Sequence, residues 1–576
     1  MIIDMLNTKL IRFEYWINDE RHQITCNSSI SNNHFEMVEN FENEAGISRL
    51  KLIIKPLIEL RIHSLSIAIK HIFNKEEMIF VNGYQSWTDS REYFIDEKMN
   101  SLSKLATPLL NKYQFDKYGD YSFKKYATRK GDFHGYTYGY IRLNKQFSFI
   151  GSLSEKNGFT IINTSAKQNT ITIEKECKNL SINSAYEAFN LIVLEGNESF
   201  VFDTYFKTMK ISKPQALPMT GWTSWYNYYQ NINEELMLKN LNALKDKHKN
   251  IDIFQIDDGY QTFVGDWLDI DYEKFPRGME YVAQNIHKKG YKAGIWLAPF
   301  VCETNSRIFR DHQDWILRDA NNQFVLAGSN WSRFYALNLE LSEVRNYIKH
   351  VFFTVLNDWG YDLVKLDFLY AVCLIPSKYK TRGQIMCEAM EFIRECVGDK
   401  LILGCGVPLG PTFGVVDYCR IGCDVGLDWD DKPFMRLLHR ERVSTLNAIG
   451  NSISRRQLNG RAFINDPDVF FLREDNIKLT QTQKETVAFV NKIFGSLIFT
   501  SDDITKYSSA QNELFDTIMA IDSYKINEVI PYKNGLVEVN YTQDNNQFNA
   551  VINLSNREIS GIIPYKTKIS KILEVE

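Results

Sequence analysis

The sequence has no apolar stretch long enough to cross a membrane, and it carries little net charge. Its 576 residues have a formal net charge of −4, whereas a membrane-spanning helix needs about 20 consecutive apolar residues. The first residues also lack the basic segment, apolar segment and small-residue cleavage site of an export signal. We therefore expect a soluble, cytoplasmic protein whose partners are neither nucleic acid nor a membrane.

Paired cysteines and metal-binding patterns are missing as well. The nine cysteines are an odd number scattered through the chain, which favours reduced thiols over a disulfide framework. Cys419 and Cys423 are near one another in the sequence, but no further His or Cys pair completes a zinc pattern. We expect neither a metal ion nor another cofactor.

What the sequence does have is an ordinary globular composition with many aromatic residues. Hydrophobic residues make up 44% of the chain and charged residues 24%, and a chain of this length is expected to form about two to four domains. Aromatic residues reach 13%. Such rings pack against the C–H faces of sugars, but they are also common core residues, so their abundance alone identifies no ligand.

Residues 1–212 have the pattern of an N-terminal β-sandwich. Short runs of β-branched and aromatic residues alternate with polar ones, which is typical of strands with one buried face. Between Leu60 and Ile69 the alternation slips by one position, and a β-bulge near His63 explains that slip. The dipeptide Asn157-Gly158 lies between two such runs and predicts a hairpin turn.

Residues 213–508 alternate between predicted strands and helices, which indicates a parallel sheet. Pro214 and Pro218 mark the boundary before it, and one of the predicted helices covers residues 434–449. The strand count and the length fit a (β/α)8 TIM barrel. A small C-terminal β domain is expected at 509–576. The candidate barrel strands are residues 221–225, 252–258, 292–300, 363–368, 401–406, 418–424, 462–466 and 496–503.

Polar residues cluster at the carboxyl ends of these strands. In a barrel all those ends face one mouth, where active sites lie. Lys365 and Asp367 are two residues apart, so they share one face of their strand, and either a salt-bridged strand end or a functional pair fits that pattern. The other polar residues at strand ends are Asp257, Asp258, Cys405, Arg420, Asp424, Asp466, Asp502 and Asp503.

Two chemistries use a mouth that is rich in carboxylates: a divalent-metal site and glycoside hydrolysis, which needs two carboxyl groups. No histidine belongs to the strand-end set, which disfavours the metal site. Tryptophans near strand ends, such as Trp222, Trp225 and Trp296, suit a sugar pocket, although at least one of them is expected to fill the barrel core. Trp87 in the predicted sandwich fits a core position or a pocket wall, and composition alone favours the core.

Seven segments resemble one known family. They are, in chain order, GWTSWYNYY, FQIDDGYQTFVGDWL, KGYKAGIWLAPF, LVKLDFLYA, LGCGVPLG, RIGCDVGLDW and FINDPDVFFLRE. Together they resemble the α-galactosidases of glycoside hydrolase family 36, shorter bacterial type, and NGYQSW extends the resemblance into the N-terminal region. The resemblance implies a retaining, exo-acting enzyme that removes terminal α-galactosyl residues from oligosaccharides such as melibiose and raffinose.

The resemblance also implies a role for particular residues. Asp367 matches the nucleophile and Asp424 the general acid/base. The matching sugar-binding residues are Asp257 and Asp258 at O4 and O6, Lys365 at the ring hydroxyls, Cys405 and Arg420 around the 2-hydroxyl, and Trp296, Trp225, Tyr226 and Trp87 as pocket walls.

For these roles, Lys365 should favour the carboxylate form of Asp367, and Asp424 should lie in a drier place or nearer to other carboxylates. Alternatives on the same scaffold are an α-N-acetylgalactosaminidase and a galactosyl-transferring relative. A non-catalytic sugar-binding protein and a metal-dependent barrel enzyme belong to other classes. The expected partner is a small oligosaccharide, and the protein is expected to be a monomer or a dimer.

Overall fold

The barrel strands predicted from the sequence form a curled parallel sheet. The computed structural model describes residues 6–44, 46–103, 107–247, 251–522 and 524–572. Barrel strands 1 to 6 each pair in parallel with the next one along the chain, and the eighth pairs with the first. Barrel strands 1 to 8 are Met219–Thr223, Ile253–Ile256, Lys292–Leu297, Leu363–Leu366, Leu401–Gly404, Tyr418–Arg420, Ile464–Asp466 and Leu497–Thr500.

One stretch of chain joins the two edges of this sheet. Barrel strand 7 pairs with strand 6. The next two-residue strand, Val469–Phe470, pairs with strand 8 and is the ninth strand of the sheet. Only Pro467 and Asp468 separate the two segments, so they lie where the ring of strands closes. This places Asp468 at the rim of the barrel.

Helices alternate with the barrel strands as predicted, with two differences. After barrel strand 5 the described chain has a 3₁₀ turn, Gly410–Thr412, in place of a helix. The helix predicted over residues 434–449 begins only at Thr445, because buried polar contacts of Arg440, Glu441 and Arg442 hold an irregular segment before it. The helices after the other strands are Glu234–Lys247, Gly278–Lys288, Ser342–Phe353, Arg382–Val397, Thr445–Ser454, Gln481–Phe494 and Ser509–Met519.

Two antiparallel sheets precede the barrel and face each other across an apolar core, as the sandwich prediction required. One sheet consists of Leu10–Ile17, Glu20–Cys26, Leu60–Lys70, Asp132–Tyr136, Thr160–Ser165, Thr170–Lys175 and Ser181–Ile182. The other consists of Ile30–Ser31, Phe35–Glu44, Ile47–Pro56, Met78–Val81, Arg91–Phe94, Tyr138–Leu143, Gln146–Ser152 and Tyr186–Gly196.

The predicted bulge is confirmed and the predicted hairpin is wrong. Glu14 pairs with Ser64 and Tyr15 with Ile62, so His63 is the extra residue. The Asn157-Gly158 turn connects Gln146–Ser152 to Thr160–Ser165, but these strands belong to different sheets. A turn signal in the sequence fixes where the chain reverses and not which strand the next run will pair with.

A helix also lies inside the region that was assigned to β structure. The helix Glu198–Met209 has Asn197 as its N-cap, and the Asn197 side chain accepts a hydrogen bond from Phe200 N. It packs Phe202 and Tyr205 against Tyr138 and Phe149. The eight-stranded sheet is therefore buried on both faces, on one side by the second sheet and on the other by this helix.

The chain ends in a four-stranded antiparallel sheet formed by Tyr524–Pro531, Leu536–Gln543, Asn546–Asn553 and Thr567–Lys571. A small sheet, Val301–Glu303, Leu326–Gly328 and Phe334–Ala336, is inserted after barrel strand 3. Other short helices are Thr107–Tyr113, Trp225–Tyr228 and Arg307–Asp311. The domain limits 1–212, 213–508 and 509–576 remain our proposal, and the helix after barrel strand 8 lies just beyond the second limit.

Candidate active site

Barrel strand 2 ends in two buried aspartates whose side chains are held differently. Asp257 accepts hydrogen bonds from Gln255 Nε2 and from Lys365 Nζ, both at 2.8 Å. Asp258 accepts hydrogen bonds at 2.6–2.9 Å from Gln261, Gln230 and Trp331. Burial raises the pKa of Asp258, and these three neutral donors oppose that rise.

Barrel strand 4 places Lys365 and Asp367 at the same mouth. One oxygen of Asp367 accepts a hydrogen bond from Trp296 Nε1 at 3.1 Å, and the other accepts one from Phe368 N at 2.9 Å. The ion pair of Lys365 is with Asp257, at 2.8 Å. The sequence left a salt bridge within the strand open, whereas this salt bridge reaches across to barrel strand 2.

The protonation of Asp367 reflects opposing effects. Burial raises its pKa, the positive charge of Lys365 lowers it, and the negative charge of Asp424 raises it. Lys365 thus acts in the predicted direction, but burial outweighs it. The charge of Asp257 holds the pKa of Lys365 above its ordinary value against the effect of burial, so this side chain stays an ammonium.

The strand 6 end carries Arg420 and Asp424, which form an ion pair at 3.1 Å. Asp424 is half-buried, with 32% of its side chain exposed, while Asp367 is buried. Of the two alternatives expected for Asp424, the drier place therefore does not match the structure. The expectation that other carboxylates are near it agrees with the structure, since its negative charge raises the pKa values of Asp367, Asp466 and Asp468.

The loop that carries Trp87 reaches from the N-terminal sandwich into the barrel mouth. Trp87 donates its indole N–H to Cys405 Sγ at 3.3 Å, and its ring packs on Phe368 with centroids 5.2 Å apart. Gly406 beside it has a φ of 55°, and a Cβ there would lie 2.7 Å from the indole ring. A larger residue at 406 would push Trp87 away from Cys405.

Arg455 anchors the Trp87 loop to the barrel. Its buried guanidinium donates to Asn82 Oδ1 at 3.1 Å and to the carbonyl oxygens of Ser86 at 2.6 Å and Gln85 at 3.0 Å. Ser86 N also bonds to Val407 O at 2.9 Å. The position of Trp87 is therefore determined by contacts with the barrel and not by the sandwich alone.

The other predicted aromatic residues lie at the same end of the barrel. Trp296 is buried between Trp267 and Trp331, with ring centroids 5.6 and 6.1 Å away. Tyr226 is buried and donates its hydroxyl proton to Asp468. Trp225 lies two residues after barrel strand 1, and its half-buried ring packs edge-on against Tyr229 at 5.2 Å.

Two of the carboxylates at strand ends have structural partners. Asp502 is buried and accepts hydrogen bonds from Leu472 N, Arg473 N and Tyr507. Asp503 caps the following turn and pairs with Lys239 at 3.2 Å. These contacts give both residues a role in the fold of strand 8.

Sequence reasoning missed several residues that hold the predicted ones. Asp468 lies two positions after Asp466, so its place just beyond a strand end was a usable signal. Trp331, Gln230 and Gln261 lie in loops with no periodic pattern, and only the folded chain brings them to Asp258. Those three side chains also form part of the wall of an adjoining cavity of about 360 Å³.

Two further properties concern the described residues as a whole. Within the described ranges, no group of three or more His, Cys, Asp or Glu side chains is arranged to hold a metal ion. No helix in the same parts of the chain is long and apolar enough to cross a membrane.

Comparisons with known proteins agree with this architecture. The Melibiase family model matches residues 208–393. An α-galactosidase of Escherichia coli is 30% identical over 187 residues, which are 31% of this chain and 25% of that protein. The matched segments cover only 19% to 25% of the lengths of the first curated relatives.

Solved structures match over most of the chain. The α-galactosidase TtGalA of Thermus thermophilus in complex with stachyose has a TM-score of 0.67 and 25% identity, with 86% of this chain and 99% of that chain covered. The family 36 α-galactosidase AgaA of Geobacillus stearothermophilus has a TM-score of 0.61 at 11% identity, with 94% and 80% covered, and shows the fold alone.

The barrel with carboxylates and aromatic rings at its mouth is similar to the barrels of glycoside hydrolases, and these matches agree with that similarity. Within that class, residues 208–393 resemble the melibiase family.

Proposed function

We propose that the protein is a retaining, exo-acting α-galactosidase that hydrolyses terminal α-D-galactosyl residues of oligosaccharides such as melibiose and raffinose. The observation that carries the proposal is the placement of Asp367 and Asp424 at the ends of barrel strands 4 and 6. They are near enough for the charge of Asp424 to raise the pKa of Asp367, and Asp424 also pairs with Arg420. A retaining glycosidase needs two carboxyl groups on either side of the scissile bond.

In this mechanism Asp367 attacks the anomeric carbon and forms a β-galactosyl ester, while Asp424 gives its proton to the leaving oxygen. Asp424 then takes a proton from water, and the resulting hydroxide displaces Asp367. The contacts of Asp367 with Trp296 and Phe368 N support this role, because they hold both carboxylate oxygens in a fixed orientation.

Recognition of galactose is assigned to the buried charges on strands 2 and 4. Asp257 and Asp258 bind O4 and O6, and Lys365 binds ring hydroxyls. A sugar without the axial 4-hydroxyl leaves a buried carboxylate without its partner, which is costly and gives discrimination against glucose. Trp296, Trp225, Tyr226 and Trp87 line the pocket.

Cys405 and Arg420 are assigned to the region of the 2-hydroxyl. Trp87 and Cys405 are buried against one another, which favours galactose over N-acetylgalactosamine because an acetamido group needs open space. The alternatives are an α-N-acetylgalactosaminidase and a galactosyl-transferring relative. Comparing the two aryl α-glycosides separates the first, and product analysis at high acceptor concentration separates the second.

The test of the proposal uses nitrophenyl α-galactoside and added azide. Asp367→Ala should abolish nitrophenol release in the absence of azide. With azide it should release nitrophenol again and form β-galactosyl azide by a single inversion. Asp424→Ala with azide should form the α-azide, because azide then opens the covalent ester. Full activity of Asp367→Ala, with an unchanged thermal midpoint, would rule out the assignment.

The same assay tests the two alternatives from other classes of protein. Wild-type turnover excludes a non-catalytic sugar-binding protein, and activity that survives EDTA excludes a metal-dependent enzyme. A cytoplasmic location and a monomer or dimer remain predictions from the sequence, and sedimentation of the purified protein measures the second.

A further inference from the structure

Asp468 lies where the barrel closes, and three donors from different parts of the chain meet at one of its oxygens. Its side chain is only 5% exposed. Oδ2 accepts hydrogen bonds from the Tyr226 hydroxyl and from Val425 N at 2.8 Å, and it pairs with Arg420 at 2.9 Å. The first donor follows barrel strand 1, and the other two belong to the strand 6 end.

The backbone of Asp468 is held in an unusual conformation. Its φ of 81° lies in the left-handed region, which is unfavourable for residues other than glycine and persists only where the surroundings maintain it. Asp468 N donates to Asp466 Oδ1 at 2.8 Å, and Asn491 donates to its carbonyl oxygen at 3.1 Å. These bonds aim the carboxylate at strand 6.

Both strand 6 contacts of Asp468 adjoin Asp424. Val425 is the next residue in the chain, and Arg420 Nη2 is shared between Asp424 Oδ1 at 3.1 Å and Asp468 Oδ2 at 2.9 Å. Asp468 thus fixes the backbone beside Asp424 and competes with Asp424 for one guanidinium.

We propose that Asp468 is a positioning residue for the acid/base Asp424: it anchors the backbone at Val425 and draws the charge of Arg420 away from the Asp424 carboxyl. The inference rests on the proposed function. An acid/base that must begin each cycle protonated needs a guanidinium that is already engaged elsewhere, since a free one favours the ionised carboxylate.

Charged groups of both signs surround Asp424 and Asp468. Arg420 is the cation that contacts Asp424 and Asp468. The titratable groups that act on one or both of these carboxyls are Asp367, Asp466, Tyr226, Tyr229, Cys405 and Cys423. Because Arg420 Nη2 is shared between the two carboxyls, removing the charge of Asp468 strengthens the hold of Arg420 on Asp424.

The test is the pH dependence of kcat/KM for Asp468→Asn, measured with melibiose and with an aryl α-galactoside whose phenol leaves without a proton. We expect the alkaline limb to move to lower pH by about one unit. We also expect the loss at neutral pH to be about tenfold larger for melibiose, because only that substrate depends on the acid. A loss of equal size on both substrates with unmoved limbs would overturn the proposal.

Asp502→Asn is the matched control, since Asp502 is also a buried carboxylate at a strand end but binds Leu472 N, Arg473 and Tyr507. Its losses should be alike for both substrates, with the alkaline limb in place. A substrate-dependent loss in this control would overturn the proposal. Wild-type turnover separately tests the proposed function.

A second variant covers the case in which Asp468→Asn does not fold. Tyr226→Phe removes one hydrogen-bond donor to Asp468 and keeps the Asp468 carboxylate, which should then interact more strongly with Arg420. We expect the alkaline limb to move to higher pH, opposite to Asp468→Asn, and no movement or a downward one contradicts the proposal. A crystal structure of either variant should show a changed Arg420–Asp424 distance, and an unchanged distance also contradicts it.

Discussion

Lys365 Nζ lies 2.8 Å from Asp257 Oδ2 and joins barrel strands 4 and 2 across the mouth. Both side chains are buried. Breaking such a pair leaves an uncompensated charge, which costs about 3–5 kcal/mol. The ammonium therefore supports the fold of the site as well as the carboxylate of Asp367.

We predict that Lys365→Met lowers both the thermal midpoint and kcat/KM, because Asp257 loses its buried partner. The double variant Lys365→Met/Asp257→Asn removes both charges, and most of the lost stability should return while activity stays low. Thermal unfolding and aryl α-galactoside kinetics measure the two effects. A double variant no more stable than the single one would show that the ion pair is not the cause.

We predict that Trp331→Phe weakens substrate binding while the barrel stays folded. The indole N–H donates to Asp258 Oδ2 at 2.9 Å, and a hydrogen bond to a charged group contributes about 1.5–3 kcal/mol. KM should rise by about tenfold or more, with a smaller change in kcat.

Trp267→Phe is the control for that experiment. Trp267 packs edge-on against Trp296 at 5.6 Å, and its buried Nε1 has no hydrogen-bond partner among the described residues. Its replacement should leave KM near the wild-type value. Equal KM values for the two variants would mean that the bond to Asp258 does not contribute to binding.

We predict that Arg455→Lys displaces Trp87 from the mouth. A lysine cannot replace the guanidinium that serves Asn82, Gln85 and Ser86 together. Acrylamide should quench a larger share of the tryptophan fluorescence, an increase that should be absent when Trp87→Phe is also present, and kcat/KM should fall. Arg456→Lys is the neighbouring control, because Arg456 pairs with Glu198 at 2.7 Å instead. Similar quenching in both variants would refute the anchoring role.

We predict that Asp120 contributes stability that is lost in acid. Burial alone would raise its pKa, but hydrogen bonds from His134 and Tyr126 outweigh burial and lower it to about 2. Because this pKa is depressed, the contribution is present above the unfolded value near 3.8 and disappears as the pH falls through about 2. Its size is about 2 kcal/mol.

Urea unfolding of wild type and Asp120→Asn at pH 5 and pH 3 checks this. The difference in unfolding free energy should be full at pH 5 and smaller at pH 3, because the wild-type carboxylate is then partly protonated in the unfolded chain. A constant difference would show that Asp120 acts only through packing.

Much of the fold could be predicted from the sequence because the sequence patterns that indicate it are local. The eight barrel strands and the bulge at His63 follow from apolar runs and from a slip in alternation. The misassigned segments, residues 434–444 of the predicted helix and the hairpin at Asn157-Gly158, depended on distant partners. Arg440 bonds to Asp89 O, more than three hundred residues earlier, which no local pattern reveals.

The sequence by itself determined which residue types stand at the strand ends, because the carboxyl ends of parallel strands must share one mouth. Only the tertiary structure decided how their charges are paired: Lys365 with Asp257, and Arg420 between Asp424 and Asp468. The reason is physical. Strand position follows from periodicity along the chain, whereas the partner of a buried charge depends on distances across the barrel that differ by only a few ångströms.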